Sequence, residues 1–122
     1  MRLLIVDDDP NYAFLLGRIL AHAFPMAEIL NAPDGEAALH IYRQHGADLV
    51  ITDHVMPYMD GPTLIRALLT MRASMPIIAL SSSPFAQPDA LAAGATLFFE
   101  KSAALTRIVP VIAGLIAEPV TC

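Results

Sequence analysis

The chain holds a single cysteine, Cys122, and it is the last residue. No disulfide can close within the sequence, and neither a thiolate zinc site nor a buried cysteine nucleophile is indicated, so a reducing cytoplasm is the expected setting. Basic charge is also scarce. Seven Lys and Arg residues stand against 12 Asp and Glu, a net charge of −5, and the seven are scattered without forming the stripe that neutralises a phosphate backbone, which argues against direct binding of DNA or RNA. Long apolar runs are missing as well. The longest, Ile108 to Ala117, has ten residues and falls short of a membrane span. Near the start, Arg2 and the short run Leu3 to Val6 lead into three aspartates, so neither a signal peptide nor a membrane anchor is expected. No internal repeat, linker or low-complexity segment interrupts the chain.

With 122 residues, 56% of them hydrophobic and 16% charged, one domain spanning residues 1–122 around one hydrophobic core is expected, too short for a regulatory and an effector domain together. Short β-rich runs alternate with helix-period segments, the pattern of βαβ units and a parallel sheet. The runs Leu3 to Val6, Ala27 to Asn31, Asp48 to Thr52, Pro76 to Leu80 and Thr96 to Phe99 read as five strands. Five helices lie between and after them. The first starts at Asp9-Pro10, a cap and a first-turn proline, and carries the core stripe Tyr12, Leu15, Leu16, Ile19, Leu20. The second opens at Asp34-Gly35, turns Ala38, Leu39 and Tyr42 inward and stops at Gly46. Asp60-Gly61-Pro62 opens the third, with Leu64, Ile65, Leu68 and Leu69 on its buried face. Three serines and two prolines between Ser81 and Asp89 confine the fourth to about Ala90 to Ala93 plus a preceding turn. The last carries Leu105, Ile108, Val109, Ile112, Leu115 and Ile116 at a 3.6 period, with Pro110 bending it or marking its start. The fold class is therefore α/β: a flavodoxin-like doubly wound five-stranded parallel sheet of order 2-1-3-4-5, with helices on both faces.

Aspartates collect where two of these strands end. Asp7, Asp8 and Asp9 follow the first run and Asp53 follows the third, so adjacent parallel strands bring carboxylates together at the carboxyl edge, where open α/β sheets bind ligands. Like charges that close call for a cation. Asp7, Asp8 and Asp53 offer hard oxygen ligands suited to Mg²⁺, which binds through one or two carboxylates and keeps several waters that a phosphate can displace.

Five features in order then resemble the receiver domain of the bacterial two-component response regulators: Asp7-Asp8, Asp53 with its Met56-Pro57-Tyr58-Met59-Asp60-Gly61 tail, Ser81 after the fourth strand, Gly94-Ala95 before the fifth, and Lys101 after it. The resemblance spans essentially the whole chain. It implies that Asp53 accepts a phosphoryl group from a sensor histidine kinase, a histidine phosphotransfer protein or a small phosphodonor. It further implies Mg²⁺ held by Asp8 and Asp53, by Asp7 through a water and by the Val55 backbone carbonyl, with Lys101 and the Ser81 hydroxyl completing the phosphoryl site. Phe98 takes the place of the switch aromatic, often tyrosine in the family. Such a chain has no separate substrate and is not an enzyme in that sense; its output is contact with a downstream protein or a fused effector.

The chain also departs from the family pattern. Lys101 is followed by Ser102 where the family has proline, often cis; a cis bond before serine would cost about 2.5 to 4 kcal/mol, so trans geometry or strain is expected. The stretch from Ser81 to Lys101 is about two residues short. Val55 and Ser83 occupy places that influence self-hydrolysis in the family, and valine cannot orient a water, which implies slow loss of phosphate.

Plainer readings account for other residues. Asp9 and Asp60 read as helix caps. His54 points away from Asp53 by strand alternation, while His22, His40 and His45 read as solvated. Outer positions of the last helix, Pro110, Val111, Ala113, Gly114 and Ala117, are small or apolar, which suggests a second copy or a partner covering them. A phosphatase of the haloacid-dehalogenase-like class would need an aspartate at Val55, and flavodoxin-like electron transfer would need donors where the first loop is acidic. The alternative that keeps all the residues is a receiver-like interaction module working without phosphorylation. Stand-alone receiver and excised part of a larger regulator are equally compatible with the sequence.

Overall fold

Leu3, Leu4, Ile5 and Val6 are all buried, as an unbroken apolar run in a strand covered on both faces must be. The computed structural model describes residues 1–116. In chain order they form β1 (Arg2–Val6), α1 (Pro10–Ala23), β2 (Glu28–Ala32), α2 (Gly35–His45), β3 (Leu49–Asp53), α3 (Gly61–Met71), β4 (Ile77–Ser81), α4 (Gln87–Ala93), β5 (Leu97–Glu100) and α5 (Lys101–Leu115). One 3₁₀ turn, Pro84–Ala86, leads into α4. The five strands make one parallel sheet of order β2-β1-β3-β4-β5, the flavodoxin-like order expected from the acidic edge.

Strand alternation divides the core into two layers. Leu4, Val6, Val50, Ile77 and Ala79 meet Leu39, Leu64, Ile65, Leu68 and Ala90 on the face covered by α2, α3 and α4. Leu3, Ile5, Leu49, Ile51, Ile78 and Leu80 meet Leu16, Leu20, Ala104, Ile108 and Ile112 on the face covered by α1 and α5. Caps set the helix starts as the sequence suggests. Asp9 accepts from the Asn11 and Tyr12 amides, Asp34 from Ala37 and Asp60 from Thr63, each satisfying amides that a first turn leaves open. Gly46, with φ 71°, ends α2 in a region closed to most side chains.

Five details differ from the sequence reading. Leu15 is 46% exposed, because α1 buries the narrow i, i+4 line of Leu16 and Leu20 while Leu15 sits to its side. Helix α4 starts at Gln87 rather than near Ala90, with Pro88 in its first turn, where the missing N–H would be unpaired anyway. Pro110 lies inside α5 and does not mark its start. Val111 is half-buried against the α1/α5 core rather than on the outer face, and Ala104, unremarked in the sequence, is wholly buried. Ala117 and Cys122 lie outside the described residues.

Candidate functional site

Register decides which side chains meet. Val6 pairs with Thr52, so Asp7 and Asp53 are the next residues of two neighbouring strands. Asp53 in turn pairs with Leu80, and Ser81 with Glu100, which places Ser81 one step and Lys101 two steps further along the same carboxyl edge. By alternation Asp53 shares the face of Leu49 and Ile51, on the side of α1 and α5, and Ser81 shares that of Ile77 and Ala79, on the side of α3 and α4. Phe98 is opposite Ala79 on β5 and is half-buried against the α2/α3/α4 core.

The acidic residues converge as expected. Ligand oxygens of Asp7, Asp8 and Asp53 lie within 4.8 Å of one another, with Asp7 and Asp53 buried and Asp8 exposed. Local backbone donors orient two of the three carboxylates: the Asp9 amide donates to Asp7 Oδ1 at 2.9 Å and the His54 amide to Asp53 Oδ1 at 2.8 Å. Lys101 Nζ stands 2.8 Å from Asp7 Oδ2 and 3.2 Å from Asp53 Oδ2. Asp7 Oδ2 is shielded from water, and the Lys101 ammonium is the one partner found for it among the described residues. One cation faces three carboxylates. Three carboxylates whose oxygens lie within 4.8 Å of one another, two of them buried and sharing a single ammonium, are a donor set that fits a hard divalent cation.

Protonation preferences follow from this crowding. Burial, then the Asp7 charge, pushes the Asp53 carboxyl above its ordinary value, against the pull of Lys101 and the His54 amide. For Lys101, burial is the largest single influence and pulls downward, but contact with Asp7 and the charges of Asp53 and Asp7 together hold it above its usual value.

Tyr12 was legible only as part of the α1 core stripe, yet it belongs to the site. Its hydroxyl donates to the Lys101 carbonyl at 2.7 Å, and the Lys101 ammonium lies 4.7 Å from the centroid of its ring. Burial, with added repulsion from Asp7 and Asp53, pushes this phenol up to about 12, so it stays a donor. An aromatic residue five positions after the first aspartate on a helix facing the lysine is the signal that could have found it.

The loop after Asp53 is held by a close backbone approach. The Gly61 amide donates to the His54 carbonyl at 2.8 Å, and a Cβ on Gly61 would lie 2.5 Å from the Asp53 carbonyl oxygen and 2.9 Å from the His54 Cα. Backbone atoms cannot swing aside as a side chain can. Gly61→Ala is therefore expected to cost about 1–3 kcal/mol, read as a lowered denaturation midpoint; an unchanged midpoint would contradict this close approach. Val55, in the same loop, is 71% exposed. On the other side of the edge the Ser81 hydroxyl oxygen accepts from the Ser83 amide at 3.1 Å, which leaves its own proton free to donate, and the Ser83 hydroxyl oxygen accepts from Phe85. His54 is half-buried and contributes its backbone to the site. No peptide bond among the described residues is cis, and Lys101-Ser102 opens α5 directly.

Known proteins are similar to this chain in sequence and fold. Residues 3–113 match the family model of the response regulator receiver domain. The chain is 41% identical over 80 residues to the response regulator GtcR of Aneurinibacillus migulanus, covering 66% of this chain and 32% of that protein. It is 36% identical over 92 residues to the transcriptional regulatory protein GlrR of Escherichia coli, covering 75% and 20%. It thus spans about a third or less of the length of these curated relatives. A solved structure of the response regulator TrrA from Thermotoga maritima, in complex with Mg²⁺-BeF, superposes with a TM-score of 0.85 at 29% identity, covering 94% of this chain and 98% of that one. With residues 3–113 matched by the family model and the acidic edge in place, the chain belongs to the response regulator receiver domains of two-component signalling.

Proposed function

We propose that Asp53 is the phosphoryl acceptor of a phosphorelay and that its phosphorylation resets a protein-interaction surface. The observation that carries this reading is the meeting of Asp7, Asp8, Asp53 and Lys101 at one sheet edge. A carboxylate oxygen of Asp53 attacks the phosphorus of a phosphohistidine on a sensor histidine kinase or phosphotransfer protein. The new P–O bond forms as the P–N bond breaks, and the leaving imidazole keeps the electron pair and takes a proton from solvent. Such a reaction asks of the protein chiefly alignment and positive charge around the equatorial oxygens. The His54 amide fixes one Asp53 oxygen and so aims the other. Lys101 exchanges its carboxylate partners for the incoming phosphoryl oxygens, as a flexible point charge can. Ser81 donates its free proton to a third oxygen. Asp7, Asp8, Asp53 and the Val55 carbonyl would hold Mg²⁺, which when bound supplies the charge neutralisation that one lysine cannot.

Ser81 and the half-buried Phe98 share the α3/α4 side of the sheet, so drawing Ser81 toward a phosphoryl group opens space into which Phe98 turns. The output surface on this reading includes α4 and β5, and it meets a downstream protein or a fused effector. Pro110, Ala113 and Gly114 on α5 are exposed and small, a face that a second copy would cover.

The test is intact mass after incubation with Mg²⁺ and acetyl phosphate, beside an Asp53→Asn control. A phosphate-sized gain confined to the native chain supports the relay; no gain favours a receiver-like interaction module that works without phosphorylation. Val55, exposed and apolar, cannot orient an attacking water. The aspartyl phosphate is therefore expected to persist for minutes or longer with Mg²⁺ alone, and a lifetime of seconds, read by the same mass assay, would contradict this.

A further inference from the structure

We propose that Tyr12 is a positioning residue for Lys101, holding the ammonium over the phosphoacceptor through its ring and anchoring the lysine backbone through its hydroxyl. The inference rests on the phosphorelay reading for its consequence and on geometry for its substance. Lys101 is the first residue of α5 and follows directly from β5, and the residue after it is Ser102, whose backbone is not restricted as a proline's would be. The lysine backbone therefore needs a restraint from elsewhere. The Tyr12 hydroxyl supplies one, donating to the Lys101 carbonyl across 89 positions of sequence. The side chain needs a second. Lysine carries four rotatable bonds and a compact charge, and here the Tyr12 ring faces that charge at 4.7 Å, within the range in which an aromatic face attracts a cation.

Two carboxylates pull on the same ammonium, and both contacts loosen when Mg²⁺ or a phosphoryl group competes for those oxygens. The ring does not compete for either. It thus keeps Lys101 at the edge of the site while its partners change, so that little of the lysine's freedom has to be lost at the moment of transfer. Tyr12 itself is fixed by the first turn of α1, where its own amide donates to the Asp9 cap. The chain thereby ties the loop that carries Asp7 to the start of the helix that carries Lys101.

The experiment compares native protein with Tyr12→Phe, Tyr12→Leu, Lys101→Ala and the double variant Tyr12→Leu/Lys101→Ala. Each is phosphorylated by acetyl phosphate with saturating Mg²⁺, followed by intact mass, and checked for folding by thermal melt. Tyr12→Leu is expected to slow phosphorylation about tenfold, the scale of a partly desolvated cation–π contact, while Tyr12→Phe, which keeps the ring, recovers most of the rate. In the Lys101→Ala background Tyr12→Leu is expected to change nothing further. Equal losses with and without Lys101 would reduce Tyr12 to a packing residue and overturn the proposal, as would an undiminished rate in Tyr12→Leu. A second readout does not depend on phosphorylation: the Lys101 Cε protons, seated by the ring, are expected upfield in the NMR spectrum of the native protein and of Tyr12→Phe, and at ordinary positions in Tyr12→Leu. If the native chain takes no phosphate, the relay reading fails on its own, and an ordinary Lys101 resonance in the native chain then overturns the positioning as well.

Discussion

An Asp53→Asn variant is expected to accept no phosphate and yet, without Mg²⁺, to melt a few degrees above the native chain. Burial and the Asp7 charge raise the Asp53 carboxyl above its ordinary 3.8, so the ionised form is less favourable in the folded protein than in the unfolded chain. Asparagine keeps the shape and removes the charge. Between the unfolded value and the raised folded value the folded protein binds more protons than the unfolded chain, so native stability falls as pH rises through that window. The gap between variant and native should therefore open above the ordinary carboxylate value, be complete once pH exceeds the folded value, and vanish in strong acid. Saturating Mg²⁺ should reverse the order. At a hundred times its dissociation constant a ligand adds about 2.7 kcal/mol to the state that binds it, and the variant, with Asp7 and Asp8 alone, has less to bind with. Melting curves of both proteins with and without Mg²⁺, from pH 4 to pH 8 in roughly unit steps, check this. A variant that melts below native in Mg²⁺-free buffer at neutral pH would show that the Lys101 ion pair outweighs the crowding of carboxylates.

How much of this was legible in the sequence follows from which forces act locally. Periodicity and caps are local, so the runs ending at Val6, Thr52 and Leu80, and the caps Asp9, Asp34 and Asp60, could be read directly, and the acidic edge followed from strand order. Boundaries moved by one or two residues where ladder bonds extend a strand past its apolar run. Asp53 and Ser81 are thus the last residues of β3 and β4 rather than the first of a loop. Leu15 departs from expectation because a 3.6 period does not say how wide the buried stripe of α1 is; that width depends on how α5 lies against it. The role of Tyr12 is hidden in the sequence for a related reason. Its hydroxyl and ring both meet Lys101, 89 positions away, and the 3.6 period that marks Tyr12 as core does not encode that meeting. Among the residues singled out for chemistry, Asp7, Asp8, Asp53 and Lys101 are brought into one cluster, while Ser81 and Phe98 stand on the neighbouring face of the same edge.

Lys101→Ala is expected to slow phosphorylation by about 10²–10³-fold, the loss that follows removal of one preorganised charge stabiliser from a transfer site. Removing one partner of a buried ion pair commonly costs about 3–5 kcal/mol because the other charge is stranded. Here part of that cost has an escape. Burial and the Asp7 charge already raise the Asp53 carboxyl above its ordinary value, so without the ammonium it is protonated more readily and spares Asp7 a second bare carboxylate. The stability lost in the absence of Mg²⁺ should therefore be smaller, about 1–3 kcal/mol, and should be greater at pH 8 than at pH 5, since the proton is harder to recruit at high pH. Mg²⁺ should restore most of the stability but little of the rate, because the cation neutralises the carboxylates without replacing a donor aimed at the phosphoryl oxygens. Phosphorylation rates by intact mass and melts at the two pH values, each with and without Mg²⁺, separate the two roles. A variant that regains both rate and stability in Mg²⁺ would mean that Lys101 serves the resting fold alone, and the assignment of a phosphoryl contact to it would fall.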